Sequence, residues 1–301
     1  MFAIRGGSLN RERTSERAHG AGRNSGRGRP GEEREEHPLE PKFVVMFSGG
    51  IGSWAAARAI VDACGPDGVE LLFADTKIED ADLYRFLDDA ARDIGVPLIK
   101  IADGRTPWEV FRDRRMLGNS RIAPCSSVLK QIPCRKWMEE NAPNANVVLG
   151  IDWTEQHRLP GAVAGWAPWN VRAPLCEGDW RGWRTKNDYL SMATDRGLKP
   201  PRLYQEGFPH NNCGGGCVRS GAAQFVHLLN VHPETFAEWE ANEEDIRVFL
   251  GRDVTILRDR RGGKTTPLSL HDLRLQHKKQ PSLFGDEDWG GCGCFLFEES
   301  V

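Results

Sequence analysis

From Lys42 onward, short apolar runs alternate with amphipathic stretches, a pattern that predicts parallel strands joined by helices. Phe43 to Phe47 reads as the first strand and the Ala-rich residues 53 to 63 as a helix. Val69 to Ala74 reads as a second strand. Asp80 to Ile94 reads as a helix that gathers Leu83, Phe86, Leu87 and Ala90 on one face, and Leu98 to Ile101 as a third strand. Helices near 107–116 and 134–141 then lead to a fourth strand, Val147 to Gly150. The expected fold class is α/β, a doubly wound and mostly parallel sheet, in which ligands bind outside the carboxyl ends of the strands.

Past residue 160 the period breaks down. Trp166, Trp169, Trp180 and Trp183 stand among Gly and Pro in a long connection whose indoles want burial or stacking partners. Helices over 221–231 and 233–249 follow, with a short strand at Thr255 to Leu257 and a short helix at Leu268 to Leu275. Residues 1–41 are rich in Arg, Gly, Glu and Ser without a hydrophobic period and read as a disordered tail. The organisation predicted is that tail, a nucleotide-binding α/β domain over 42–175, and a helical, Cys-rich extension over 176–301.

A chain of 301 residues with 39% hydrophobic residues suits a soluble globular protein. The net charge of -3 hides an uneven distribution. Residues 1–30 carry seven Arg against two Glu, and residues 31–40 carry five Glu against one Arg. That arrangement would let the tail contact nucleic acid, although the bulk charge names no partner. No run approaches the roughly 18 apolar residues of a membrane helix, and the first residues lack the apolar core of a secretory signal. The expectation is a cytoplasmic protein with no membrane partner. In that compartment eight cysteines point to metal or catalysis rather than disulfides.

Ser48-Gly49-Gly50-Ile51-Gly52-Ser53 follows the first strand and opens the first helix. Glycines let the backbone approach a ligand closely, and the first-turn amides with Ser53 present donors to an anion, so a phosphate is the natural occupant. The spacing matches neither G-x-G-x-x-G nor G-x-x-x-x-G-K-[ST]. Asp75 and Thr76 close the second strand, where a carboxylate can hold a nucleotide hydroxyl or a metal ion. Beyond the fourth strand, Glu155 is a candidate magnesium ligand and Arg158 a candidate phosphate clamp.

Between Pro124 and Cys134, Lys130 offers charge for a phosphate or sulfate, and Cys125 is a candidate nucleophile. Cys134 reads equally as a small buried hydrophobe, and Cys64 is expected in the core. The metal signal is Cys213-Gly-Gly-Gly-Cys217, answered by Cys292-Gly-Cys294. Two close pairs can bring four thiolates to one centre, either an iron-sulfur cluster or zinc. Cys125 is an alternative fourth ligand.

The glycine loop, the Ala74-Asp75-Thr76 strand end, the Cys125 to Pro133 segment and the Gly150 to Arg158 segment together resemble the phosphoadenosine phosphosulfate reductase family within the PP-loop superfamily. The Asn211 to Gly221 run and the terminal Gly-Cys-Gly-Cys-Phe are similar to its phage and bacterial members. The resemblance spans nearly everything from Lys42 onward. It implies an adenine nucleotide, ATP above all, whose phosphates are held by Ser48, Gly49, Gly50, Gly52 and Ser53. It places Asp75 near the nucleoside and Arg158 near the substrate.

Two features depart from the family pattern. Gly52 stands where the family's adenylating members carry Asp for Mg2+, so Asp75 or Glu155 would have to supply that ligand. No Glu-Cys-Gly-x-His run of the true reductases is present. The related thiolation enzymes pair such a loop with an iron-sulfur cluster. The expected function is therefore an ATP-dependent sulfurtransferase-like enzyme that acts on a nucleic-acid or small-molecule acceptor, served by a sulfur or electron donor protein. Thiol-dependent phosphoadenylyl-sulfate reduction is one alternative, and a nucleotide-binding regulatory or defence module with a structural metal is another.

Overall fold

A computed structural model describes residues 42–177, 184–281 and 288–291. The expected tail, Trp180, Trp183, Cys292 and Cys294 lie outside the described residues.

The first half follows the hydrophobic pattern: β1 (Phe43–Met46), α1 (Ile51–Cys64), β2 (Val69–Asp75), α2 (Ala81–Ile94), β3 (Leu98–Ala102) and α3 (Pro107–Arg114). Local chemistry sets the boundaries. Asp80 caps α2 by accepting from the Asp82 amide. Thr106 and Glu109 close a capping box around α3, with Pro107 at its start, where a missing N–H costs nothing. α1 begins at Ile51 rather than 53, because Gly50 is already extended and the helix starts immediately after it.

α4 (Pro124–Ser126), a π-helical turn over Ser127–Gln131 and α5 (Ile132–Asn141) run on without a break, so α5 starts before the predicted 134. The Ile132 amide reaches back five residues to the Ser127 carbonyl. Pro133 has no N–H to give the Leu129 carbonyl, and the chain absorbs that gap as a wider turn. β4 (Asn146–Val148) ends two residues earlier than expected, leaving Leu149 and Gly150 beyond the sheet. A 3-10 turn over Trp153–Arg158, α6 (Leu159–Trp166), β5 (Val171–Arg172) and a turn over Pro174–Cys176 follow.

The remainder comprises α7 (Lys186–Asp195), α8 (Arg202–Gln205), a tight turn at Cys213–Gly215, α9 (Ala222–Val231), α10 (Pro233–Leu250), β6 (Leu257–Asp259), β7 (Thr266–Leu268) and α11 (Leu270–Lys279). The predicted strand at 255–257 is displaced because the Thr255 hydroxyl bonds the Leu257 carbonyl and accepts from the Leu268 amide, clamping the hairpin's open end. Ser269 caps the last helix and moves its start to Leu270.

The sheet is wholly parallel, in the order β3-β2-β1-β4-β5. The chain builds outward from β1 in one direction and then returns to its other side, so the switch point lies between β1 and β4. There the helices diverge and open a crevice. One face of the sheet packs Val45, Phe47, Trp54, Leu71 and Phe86 with Tyr189 of α7. The other packs Val44, Met46 and Leu72 with Met138, Trp166 and Trp169. Trp166 and Trp169 are buried as expected of their connection. A third core joins Phe111 of α3 to Phe208, Phe225, Trp239 and Ile246. Cys134 is buried, whereas Cys64, contrary to expectation, is exposed in the last turn of α1 together with Asp62 and Ala63.

Candidate active site

The loop after β1 and the segment after β4 meet at the switch point. Their backbones approach so closely that a Cβ on Gly150 would lie 2.7 Å from the Ser53 nitrogen, and one on Gly52 would lie 3.0 Å from the Gly150 carbonyl oxygen. A side chain at position 150 would clash outright, and one at position 52 would press on the Gly150 carbonyl. Gly49 adopts φ +76 with Leu83 packed beneath it, a conformation and a space that only glycine suits.

Ser53 Oγ donates to the Gly50 carbonyl at 2.8 Å and tightens the turn. The Ile51 amide donates to the Tyr204 hydroxyl at 3.2 Å. The first turn of α1 contains no acidic residue, so no side-chain charge opposes the positive end of its dipole.

That cleft offers about 120 Å³ of interior space and is open to solvent at its mouth. Ser48, Gly50, Gly52 and Ser53 line its floor, and Glu155 and Arg158 line one wall. Arg158 is paired with Glu155, and Asp152, on the same wall, caps the 3-10 turn by accepting from the Thr154 amide at 2.8 Å. The roof comes from the second half of the chain as Lys186, Tyr204, His210, Asn211 and Asn212. Lys186 donates to the Pro209 carbonyl, and Asn211 Nδ2 donates to the Gly49 carbonyl at 2.9 Å.

Asp75 and Thr76 are not among the residues lining this cleft. Asp75 accepts from the Lys77 amide and ammonium and from Tyr84, at 2.8, 3.0 and 2.8 Å. Burial pushes its carboxyl up, but these three donors and the Lys77 charge outweigh burial and hold it below the usual range. Thr76 turns instead into a second, smaller cavity, which also contains Cys125, Lys130, Cys213, Cys217 and Arg219.

A buried carboxylate organises this second cavity. Glu79 accepts from Thr76 Oγ1 at 2.9 Å and from Lys130 Nζ at 3.3 Å, and its other oxygen takes the Cys213 amide. The Lys130 and Glu79 side chains are 4% and 0% exposed, so the pair is fully internal. Cys213 sits at φ +55, unusual for a side chain other than glycine, and its fixed amide holds it there. Gly214 and Gly215 continue the left-handed turn, and a Cβ on Gly216 would meet the Trp239 ring at 2.5 Å. The three glycines between the cysteines are thus required by φ and by close packing.

Hydrogen bonding to Cys217 and burial push the Cys213 thiol well up, with Glu79 adding to the effect and Lys130 opposing it. Burial likewise pushes the Cys125 thiol up to about 12, Cys217 reinforcing the shift and Lys130 resisting it.

No group of three or more His, Cys, Asp and Glu side chains among the described residues is placed to hold a metal ion. The cavity beside Cys125, Cys213 and Cys217 offers about 30 Å³. Cys213 and Cys217 are hydrogen-bonded neighbours. Gly291, the residue before Cys292, donates its amide to the Arg219 carbonyl at 3.4 Å, and Gly290 bridges Ser220.

No family model matches the chain. An uncharacterized protein of Methanocaldococcus jannaschii is 27% identical over 103 residues, which are 34% of this chain and 21% of that protein. The chain therefore spans about a fifth of that relative's length. The crystal structure of phosphoadenylyl-sulfate reductase from Candida auris, a phosphate complex, is similar over 56% of this chain and 80% of that one, at 14% identity and a TM-score of 0.37.

The predicted residues thus divide between two neighbouring cavities. Ser48, Gly50, Gly52, Ser53, Glu155 and Arg158 line the first, with Gly49 in the loop beneath them, while Thr76, Cys125, Lys130, Cys213 and Cys217 line the second. One segment joins them, since residues 210–212 roof the first cavity and Cys213 and Cys217 line the second. Sequence reasoning missed Glu79, Lys186, Tyr204 and Asn211. The capping box of Thr185 and Asp188 announces α7, and with it Lys186, but nothing local marks the other three.

Proposed function

We propose that the chain is an adenine-nucleotide-binding enzyme of the PP-loop type, with sulfurtransferase-like chemistry at the adjoining thiols. The observation that carries this reading is the continuity of the segment from His210 to Cys217, which roofs the phosphate-binding cleft and then enters the thiol cavity. In this reading the loop amides, Ser48 and Ser53 hold the phosphates of ATP, and Arg158 and Lys186 neutralise charge that develops on them.

Glu155 and Asp152 offer hard oxygen donors of the kind Mg2+ takes alongside phosphates and waters. When bound, the ion would supply charge stabilisation to the triphosphate. The acceptor's oxygen attacks the α-phosphorus, pyrophosphate leaves, and the acceptor is held as its adenylate, a step that depends on positioning and electrostatics.

Sulfur is carried as a persulfide on Cys125, loaded by an external sulfur-donor protein. Its terminal sulfur displaces AMP, leaving the acceptor in a mixed disulfide. Attack by Cys213 or Cys217 on the Cys125 sulfur releases the acceptor as a thiol and leaves a protein disulfide, which an external thiol reductant reopens. Lys130 stabilises the thiolates formed along the way. Cys213 and Cys217, with Cys292 and Cys294 as the partners expected from the sequence, would hold an iron-sulfur cluster or, alternatively, a zinc ion. No step above passes through it.

Exchange of labelled pyrophosphate into ATP, assayed with RNA, DNA and small-molecule acceptor pools, tests the proposal. Acceptor-dependent exchange that is lost in Arg158→Ala is the expected result. Binding of ATP without exchange for any acceptor would instead make the protein a nucleotide-binding regulatory module.

A further inference from the structure

Asn211 is a buried side chain with half of its amide unused. The residue is 1% exposed and lines the phosphate-binding cleft. Its Nδ2 donates to the Gly49 carbonyl at 2.9 Å, while its Oδ1 has no hydrogen-bond partner among the described residues. Rotating the amide gives no relief, because it would set Oδ1 against the Gly49 carbonyl oxygen. Gly49 itself is locked by φ +76 and by Leu83 beneath it, so the carbonyl that orients Asn211 cannot drift.

In the same roof Lys186 donates to the Pro209 carbonyl, and the Tyr204 oxygen accepts from the Ile51 amide. A buried acceptor left open in this way lowers the stability of the ligand-free state. It is relieved when a ligand brings a donor.

We propose that Asn211 is a specificity-determining residue that reads a hydrogen-bond donor brought into the cleft with the nucleotide. The inference rests on the nucleotide reading above and deepens it. Fully ionised phosphate oxygens are acceptors only and would be repelled by Oδ1. The donor is therefore an O–H or N–H of the nucleoside or a water carried on a bound divalent cation, and both present the same chemistry to the amide. Asn211 thus discriminates a complete nucleotide or a metal-loaded polyphosphate from a bare phosphate chain.

The test compares wild type with Asn211→Leu, close in shape but without polar atoms, by isothermal titration calorimetry. ATP and tripolyphosphate are each titrated with and without Mg2+, and each variant's stability is measured in urea. Asn211→Leu removes one orphaned acceptor but takes the donor from the Gly49 carbonyl, so its urea midpoint is expected to fall modestly while the variant stays folded. It should bind the donor-bearing ligand about tenfold more weakly, as leaving one neutral donor unpaired requires. A loss for Mg2+-free ATP but not for tripolyphosphate assigns the donor to the nucleoside. A loss for both that requires Mg2+ assigns it to metal-bound water. If the leucine variant does not fold, Asn211→Ala is titrated with the same probes.

Equal affinity of variant and wild type for ATP in both conditions overturns this inference alone. So does an equal loss for every probe, Mg2+-free tripolyphosphate included, since that marks a merely structural wedge. A wild type that binds neither ATP nor tripolyphosphate refutes the nucleotide reading and this inference with it.

Discussion

Replacing Glu79 by Ala should be among the most damaging single changes in the chain. The carboxylate is fully buried and serves three donors: the Thr76 hydroxyl, the Lys130 ammonium and the Cys213 amide. Removing it takes the Glu79 counter-charge from the buried Lys130 ammonium, whose side chain is 4% exposed. Breaking one side of a buried pair typically costs about 3–5 kcal/mol, a large share of the roughly 5–15 kcal/mol by which domains are stable.

Replacing both charges behaves differently, because the desolvation penalty disappears with the pair. Glu79→Met combined with Lys130→Met should recover most of the loss, to within about 1–2 kcal/mol of wild type. Urea denaturation followed by tryptophan fluorescence gives all three stabilities, and alkylation of Cys213 reports whether its strained turn has relaxed. A single variant that loses less than about 1 kcal/mol would refute the reasoning, as it would place the pair in effective contact with solvent. A double variant no better than the single one would refute it too.

Other consequences can be measured in the same way. Burial pushes the Glu243 carboxyl up to about 7 from its ordinary 4.5, even though the Ile256 and Leu270 amides donate to it. The folded state therefore holds this proton more tightly than the unfolded state, so its contribution is fully present below pH 4.5 and is lost as pH rises through about 7. It amounts to about 3 kcal/mol at most, and Glu243→Gln should flatten that part of the stability curve. Identical slopes for variant and wild type between those limits would disprove the assignment. Gly216→Ala drives a methyl into the buried Trp239 ring and should cost about 1–3 kcal/mol; a neutral effect would mean the ring yields freely. Gly49→Ala should weaken ATP binding more than it lowers the melting temperature, since φ +76 shapes the loop itself. A variant with unchanged affinity would show that the loop does not set the cleft.

The first four strands were legible because each is a short apolar run, and α2 and α3 carry their own caps in Asp80 and Thr106; β5, only Val171–Arg172, was not. The loop was legible too, because glycine, a strand end and a helix start coincide there. What escaped was long-range. Glu79 looks like one more acidic residue before a helix, and only folding shows that Lys130, 51 residues away, turns inward to meet it. The π-helical turn that aims Lys130 left one local clue, Pro133, which reads more readily as a helix start. Asn211 reaches across 162 residues to Gly49, a contact that no periodicity encodes. Asp75 shows the converse. Its place at a strand end suggested the nucleotide, but Lys77 and Tyr84 nearby in sequence take up its carboxylate.

Calorimetric titration of ATP with Mg2+ into the wild-type protein and into Arg158→Ala tests the central claim most directly. The account predicts a single site per chain in the wild type and an affinity lower by about tenfold or more in the variant, as loss of one charge-assisted contact requires. Absence of binding to the wild type, or equal affinity in the two proteins, would contradict it.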